Sequence, residues 1–203
     1  MVSDIATVMV SLSIIIPLAP EEEKPNALIA TLPQEAEVIL SQEGGRAVSL
    51  NHGAKRANGE YLLFLHADSK LPMDGLERLQ KEISDKPEAL HYFDLAFTGG
   101  LWAMKLNAWG ANFRSRILGC PFGDQGLCIH KKLFETLGGY PEGASYGEDH
   151  LFVWKARKAG IKLNPINATL FTSSRKYVKH GWFKITLMHQ YLWAKQASEQ
   201  LWK

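Results

Sequence analysis

Cysteine is scarce in this chain: Cys120 and Cys128 are the whole supply in 203 residues. That excludes a disulfide scaffold and a four-thiolate zinc framework, and it makes a reducing cytoplasm the expected compartment. No apolar run approaches the roughly 18–20 residues that cross a bilayer. The most apolar stretch near the start, VMVSLSIII at 8–16, lacks a basic flank and a small-residue cleavage pattern and stops at Pro17. It reads as a strand and not as a leader. Neither sign of charge dominates, and a formal net charge of +2 gives no general attraction to nucleic acid. The phosphate-loop pattern G-x-x-x-x-G-K-[ST], the dinucleotide pattern G-x-G-x-x-G and the metalloprotease pattern H-E-x-x-H are all missing. There is no internal repeat, low-complexity tract or linker, so residues 1–203 are expected to form one domain.

What is present alternates. Strand patterns at 11–17, 37–40, 61–65, 91–97, 127–130 and 161–170 are interleaved with helix patterns at 26–32, 47–57, 74–84, 102–117, 131–137 and 148–159. An acidic loop, Glu21 to Glu23, follows the first strand. A last amphipathic helix is expected over 182–203. This order predicts an α/β fold with a mostly parallel central sheet flanked by helices.

The stretch GEYLLFLHADSKLP at 59–72 poses the functional question. Five apolar residues without a polar break are what a strand covered on both faces requires. In such sheets ligands bind beyond the carboxyl ends of the strands. His66 and Asp68 stand there, two residues apart, and share one direction if extended geometry persists. A carboxylate beside phosphate suits Mg²⁺ or Mn²⁺, and imidazole suits Mn²⁺ better. The plain alternative is that Asp68-Ser69 makes a turn into the next helix.

Four stretches, LSIIIPLA, GRAVSLNHGAKRANGEYLLFLHADSKLP, PFGDQGLCIHKKLFETLGGYPEG and YGEDHLFVWKARKAG, run in order over 12–181. Together they resemble family 2 glycosyltransferases with the GT-A nucleotide-sugar fold, above all the short "transferase 2" group associated with radical-SAM and selenium-related genes. The resemblance implies that Asp68, with His66 in the first acidic position, belongs to the metal motif. It implies that Pro17, Arg46, Asn51, Ala67 and Asp68 approach the nucleotide-sugar, and that Glu148 and Asp149 are the catalytic pair. Asp124 and Gln125 resemble the acceptor-side segment. Arg175, Lys176 and His180 resemble groups that close over the diphosphate, with His180 a further metal candidate. In one respect the chain departs from the family. EVILSQEGGRA runs almost directly into a helix where members usually carry an acidic-glycine-serine segment and a further strand, and the aspartate that reads the base is replaced by nothing closer than Glu43.

The expected activity is therefore metal-dependent inverting transfer from a nucleoside-diphosphate sugar to an unknown hydroxyl acceptor. A lipid-linked acceptor, and peripheral contact with the inner face of the membrane, are open alternatives. Two further readings stand beside it. The shortened nucleotide segment motivates a non-catalytic binding protein on a degenerate fold, and the presence of Asp68, Glu148 and Asp149 together argues against it. Nucleotidyl transfer is disfavoured because PLAPEEEKP is acidic and proline-rich where a basic glycine-rich loop is wanted. Glu148-Asp149 alone would be accounted for by helix N-terminal acidity. The aromatic helix around Trp102 and Trp109 is expected to be core, and the apolar face of 182–203 is expected to pack on the domain.

Overall fold

In the computed structural model, which describes residues 10–20, 25–100, 102–144 and 146–201, the run Tyr61–Phe64 forms strand β3, buried along its whole length. Its side chains divide between two cores. Leu62 and Phe64 join Ile15, Leu50, Phe134 and Phe152 on one side of the sheet. Tyr61, Leu63 and Leu65 join Ile14, Ile16, Leu79 and Phe93 on the other. Successive strand residues point to opposite faces, so a strand with helices on both sides has no polar position to spare.

The other strands are β1 (Leu12–Pro17), β2 (Glu37–Ser41), β4 (Leu90–Thr98), β5 (Leu127–His130) and β6 (Leu163–Ser173). They form one sheet in the order β2-β1-β3-β5-β4-β6. Strand β5 alone runs against its neighbours; the remaining pairs are parallel. The sheet is thus mostly parallel, as expected. The helices are α1 (Asn26–Ile29), α2 (Arg46–Arg56), α3 (Gly75–Asp85), α4 (Ala103–Ile117), α5 (Lys131–Thr136), α6 (Glu148–Lys158), α7 (Arg175–His180) and α8 (Trp182–Leu201). Helix α2 lies so close to β1 that a Cβ on Gly53 would stand 2.5 Å from Cγ2 of Ile15.

Three expectations change. Helix α7 was not foreseen; its six residues follow β6 with only Ser174 between. The α4 aromatics are not core: Trp102 is 79% and Trp109 64% exposed. On α8, Phe183, Leu187 and Tyr191 are exposed while Ile185 is buried, so only the opposite face packs on the domain. The expected acidic loop at 21–23 and Trp202 lie outside the described residues.

The direction of β5 places the site. The parallel strands end at one edge of the sheet, and a reversed strand begins there. The 3-10 turn Gly123–Gln125, which leads into β5, therefore meets Arg46, which follows β2, and His66, which follows β3.

Candidate active site

Strand β3 ends at Phe64, and the chain turns immediately, with Ser69 N donating to His66 O at 3.0 Å. Extended geometry does not persist to Asp68, so His66 and Asp68 take different partners. His66 Nε2 meets Arg46 Nη2. Asp68 Oδ1 accepts from Thr172 Oγ1 of β6 at 3.3 Å. Both residues, with Pro17, Gly45, Arg46 and Ala67, line a cavity of about 410 Å³ at the strand ends.

Arg46, the first residue of α2, stands between this cavity and the start of α6. Its Nε is 3.2 Å from Glu148 Oε1 and its Nη2 4.0 Å from Asp149 Oδ2. Asp149 Oδ2 also accepts from Gly123 N at 2.6 Å, and its Oδ1 from His150 N at 2.9 Å. Gly123 has to be glycine for reasons of space. A Cβ there would lie 2.7 Å from Arg46 Nη2, 2.8 Å from Asp149 Oδ2 and 3.1 Å from His66 Nε2.

Electrostatics sort these groups. Burial would raise the Asp149 carboxyl, but Arg46, His150, the Gly123 N–H and His66 outweigh it and hold the group below its ordinary value. It is a carboxylate at neutral pH. Burial, with help from Arg46 and against Asp149, pushes His66 down to about 3, so the imidazole is neutral. Asp124 goes the other way. Burial lifts it to about 6, with Asp149 and Asp68 adding to the rise and Arg114 and Arg46 opposing it. Its Oδ1 is buried without a hydrogen-bond partner.

Asp124 also lines a second cavity, of about 290 Å³, between α4 and α8. Arg114, Phe122 and Tyr177 contribute to its wall. The Arg114 guanidinium lies 3.4 Å over the Phe122 ring and donates from Nε to Cys120 O at 3.0 Å. Within the 3-10 turn, Gly123 packs against Arg46 and His66 of the strand-end cavity and against Asp149, while the next residue, Asp124, lines the second cavity.

Two sequence-derived positions are placed elsewhere. Asn51 faces the 139–142 segment and not the cavity: its amide donates to Tyr140 O at 2.9 Å and accepts from Tyr140 N at 2.8 Å. The reason is helix geometry, since Asn51 lies more than a turn past Arg46 on α2. Gln125 is fully buried. Its Nε2 donates to Phe93 O and Ser115 Oγ, both at 3.0 Å, so it pins the turn. Arg175 is exposed at the start of α7, and the side chains of Lys176 and His180 lie outside the described residues. Glu43 is held by Ser41 Oγ at 2.5 Å and His52 Nδ1 at 2.9 Å, and it does not line the cavity.

Sequence reasoning did not find the Gly123 N–H, Thr172, or Gln196 of α8, which bonds both the His150 ring and Tyr146 O. These contacts join distant segments, and only the GDQG turn left a visible trace.

The sequence profile of the family described as "Glycosyl transferase family 2" matches residues 23–126, just over half of the chain. The chain belongs to that family. Among the solved structures that share its fold are three of one protein. S. aureus TarS 1-349 is 17% identical with a TM-score of 0.64, over 81% of this chain and 60% of that one. The same protein in complex with UDP-GlcNAc gives 17% and 0.62, over 81% and 58%. S. aureus TarS gives 18% and 0.57, over 81% and 35%. This glycosyltransferase domain thus spans about 60% of the first of these relatives. No curated protein matches it in sequence.

Proposed function

We propose that this family 2 domain transfers a sugar from a nucleoside-diphosphate sugar to a hydroxyl acceptor with inversion at the anomeric carbon. The observation that carries the reading is the junction at Gly123, where Arg46 and His66, which line the strand-end cavity with Asp68, stand against the ionised Asp149. The Arg46 guanidinium is placed to attract a diphosphate. The acceptor approaches from the side of Asp124. Asp149 takes the proton of the acceptor hydroxyl, whose oxygen bonds to the anomeric carbon as the bond to the diphosphate breaks and its electrons leave with the nucleotide. A carboxylate held below its ordinary pKa is a weak base, so alignment of the reactants supplies much of the rate. Its two oxygens accept one backbone hydrogen bond each, which leaves lone pairs for the acceptor.

A divalent ion suits the donor set in one form only. Among the described residues no three carboxylate, imidazole or thiolate groups converge as a metal site. The hydrogen bond from Thr172 uses one oxygen of Asp68, so the protein would offer this carboxylate, and phosphate oxygens and water would complete the shell of Mn²⁺ or Mg²⁺. The chemistry such an ion supplies is offset of the charge on the leaving diphosphate. His66 is engaged with Arg46 and orients it.

The relative solved with UDP-GlcNAc makes UDP the first nucleotide to try. Membership of the "transferase 2" group rests on the resemblance of the four sequence stretches. Calorimetric titration with UDP, GDP and dTDP, each with and without Mn²⁺, tests the reading on wild type and Asp68→Ala. Metal-dependent binding of one nucleotide, lost in the variant, is expected. A folded protein that binds none of them would overturn the transferase reading in favour of a non-catalytic fold relative.

A further inference from the structure

We propose that the outward faces of α4 and α8 bind the surface of an anionic lipid bilayer. On α4 the exposed apolar side chains are Trp102, Leu106, Trp109, Phe113 and Ile117, spaced by four, three, four and four residues. That spacing draws one stripe along a helix. Trp109 and Phe113 stack with ring centroids 5.6 Å apart, so the stripe has a continuous aromatic centre. On α8 the exposed Phe183, Leu187 and Tyr191 form a second row. The helices lie side by side, joined by Asn107 Nδ2 donating to Thr186 Oγ1 at 3.1 Å. Paired stripes of this size on a soluble surface mark an interaction site.

Charge selects the occupant. Residues 99–122 and 171–198 hold α4, α7 and most of α8. They carry Lys105, Arg114, Arg116, Arg175, Lys176, Lys179, Lys184 and Lys195 and no acidic residue; α4, α7 and α8 together hold a single one, Glu199 near the end of α8. Arg116 is neutralised by Asp94 at 2.8 Å, and Arg114 is turned inward onto Phe122. Lys105, Arg175, Lys179, Lys184 and Lys195 are exposed. Tryptophan, phenylalanine and leucine framed by lysine and arginine, with no carboxylate among them, match an interface of anionic headgroups over acyl chains. A partner protein would be expected to meet some acidic residues here, and a second copy of this chain would bring the same positive charge against it. No helix among the described residues is long and apolar enough to cross a membrane, so the contact is peripheral.

Leu106 and Trp109 of the stripe also wall the cavity of about 290 Å³ that holds Asp124. If the proposed transferase reading holds, the acceptor cavity is seated at the lipid surface and a lipid-borne hydroxyl can reach it from the bilayer. The surface itself does not depend on that reading.

Flotation of the whole chain with vesicles of phosphatidylcholine alone, or with one-third phosphatidylglycerol, tests the proposal. Binding to the anionic vesicles is expected, with at least tenfold weaker partition for Trp102→Ser/Phe183→Ser. A weaker and more salt-sensitive loss is expected for Lys105→Glu/Lys184→Glu. Both pairs are exposed, and unchanged melting and UDP titration would show that fold and donor site survive. A protein that stays in solution with anionic vesicles at low salt overturns the proposal. So does one that runs as a dimer dispersed by Trp102→Ser/Phe183→Ser, which would give the face to a second copy. Vesicle binding reads the surface and UDP titration reads the donor site, so either can fail alone.

Discussion

At the residue scale, the site depends on a position with no side chain. Gly123 lets Arg46, His66 and Asp149 converge on its Cα. Gly123→Ala should fold and yet lose UDP binding at least tenfold, because the methyl group must push the guanidinium or the carboxylate aside; unchanged calorimetric affinity would contradict this. Asp149→Asn should keep nucleotide affinity and lower transfer by about 10²–10⁴, the usual range for a general base. Asp124 is tested through pH. Its folded value of about 6 lies above the ordinary 3.8, so the folded state holds a proton that the unfolded chain has released. Stability falls as pH rises between those values, and the loss is complete above about 6. Asp124→Asn should remove a penalty of about 2–3 kcal/mol. Melting followed by circular dichroism should therefore rise at pH 8 and barely change at pH 3.5; an equal shift at both would refute the assignment. In the sequence, the places of Asp68, Glu148 and Asp149 beside element ends were legible, Asp68 in the turn after β3 and Glu148-Asp149 at the start of α6. The partners that set their behaviour were not. Thr172 meets Asp68 across 104 residues, and no local pattern records such a contact.

Elements were legible where hydrophobic period and breakers agreed. The unbroken run of β3 and the glycine-punctuated ends of α5 and α6 came through because burial on two faces and helix termination leave local marks. Strand direction leaves none, so β5 could be located as LCIH without its reversal being evident. Helix α4 misled for a physical reason: aromatic residues at helical spacing mean a buried face only if something covers it, and here nothing among the described residues does. The contact between α2 and β1 gives an element-scale prediction. Gly53→Ala would force a methyl group to 2.5 Å from Ile15 Cγ2, and overpacking of this kind costs about 1–3 kcal/mol. Urea unfolding should show a lower midpoint with an unchanged slope; an unchanged midpoint would mean that α2 can slide outward freely.

At the scale of the molecule, the sheet has a thin place. Strands β1, β2 and β3 are joined by long parallel ladders, and so are β4 and β6. Between them stands β5, paired to β3 over four residues but to β4 through the single register His91 with Cys128. Under mild denaturant, amide exchange should separate into two groups along that line, with β5 following β3. Uniform exchange across the sheet would show that the two hydrophobic cores outweigh the ladder.

The chain does not divide along that seam, because β5 comes after β4 in sequence and crosses back to pair with β3. Of the proposed site residues, Arg46 and Asp68 precede the turn at 86–89, and Asp124, Glu148 and Asp149 follow it. For a lineage of such proteins, recombination could work by the half. A crossover in the turn at 86–89, between α3 and β4, would give a chain a new ancestor for the proposed nucleotide side only where the retained β5 still pairs with the incoming β3.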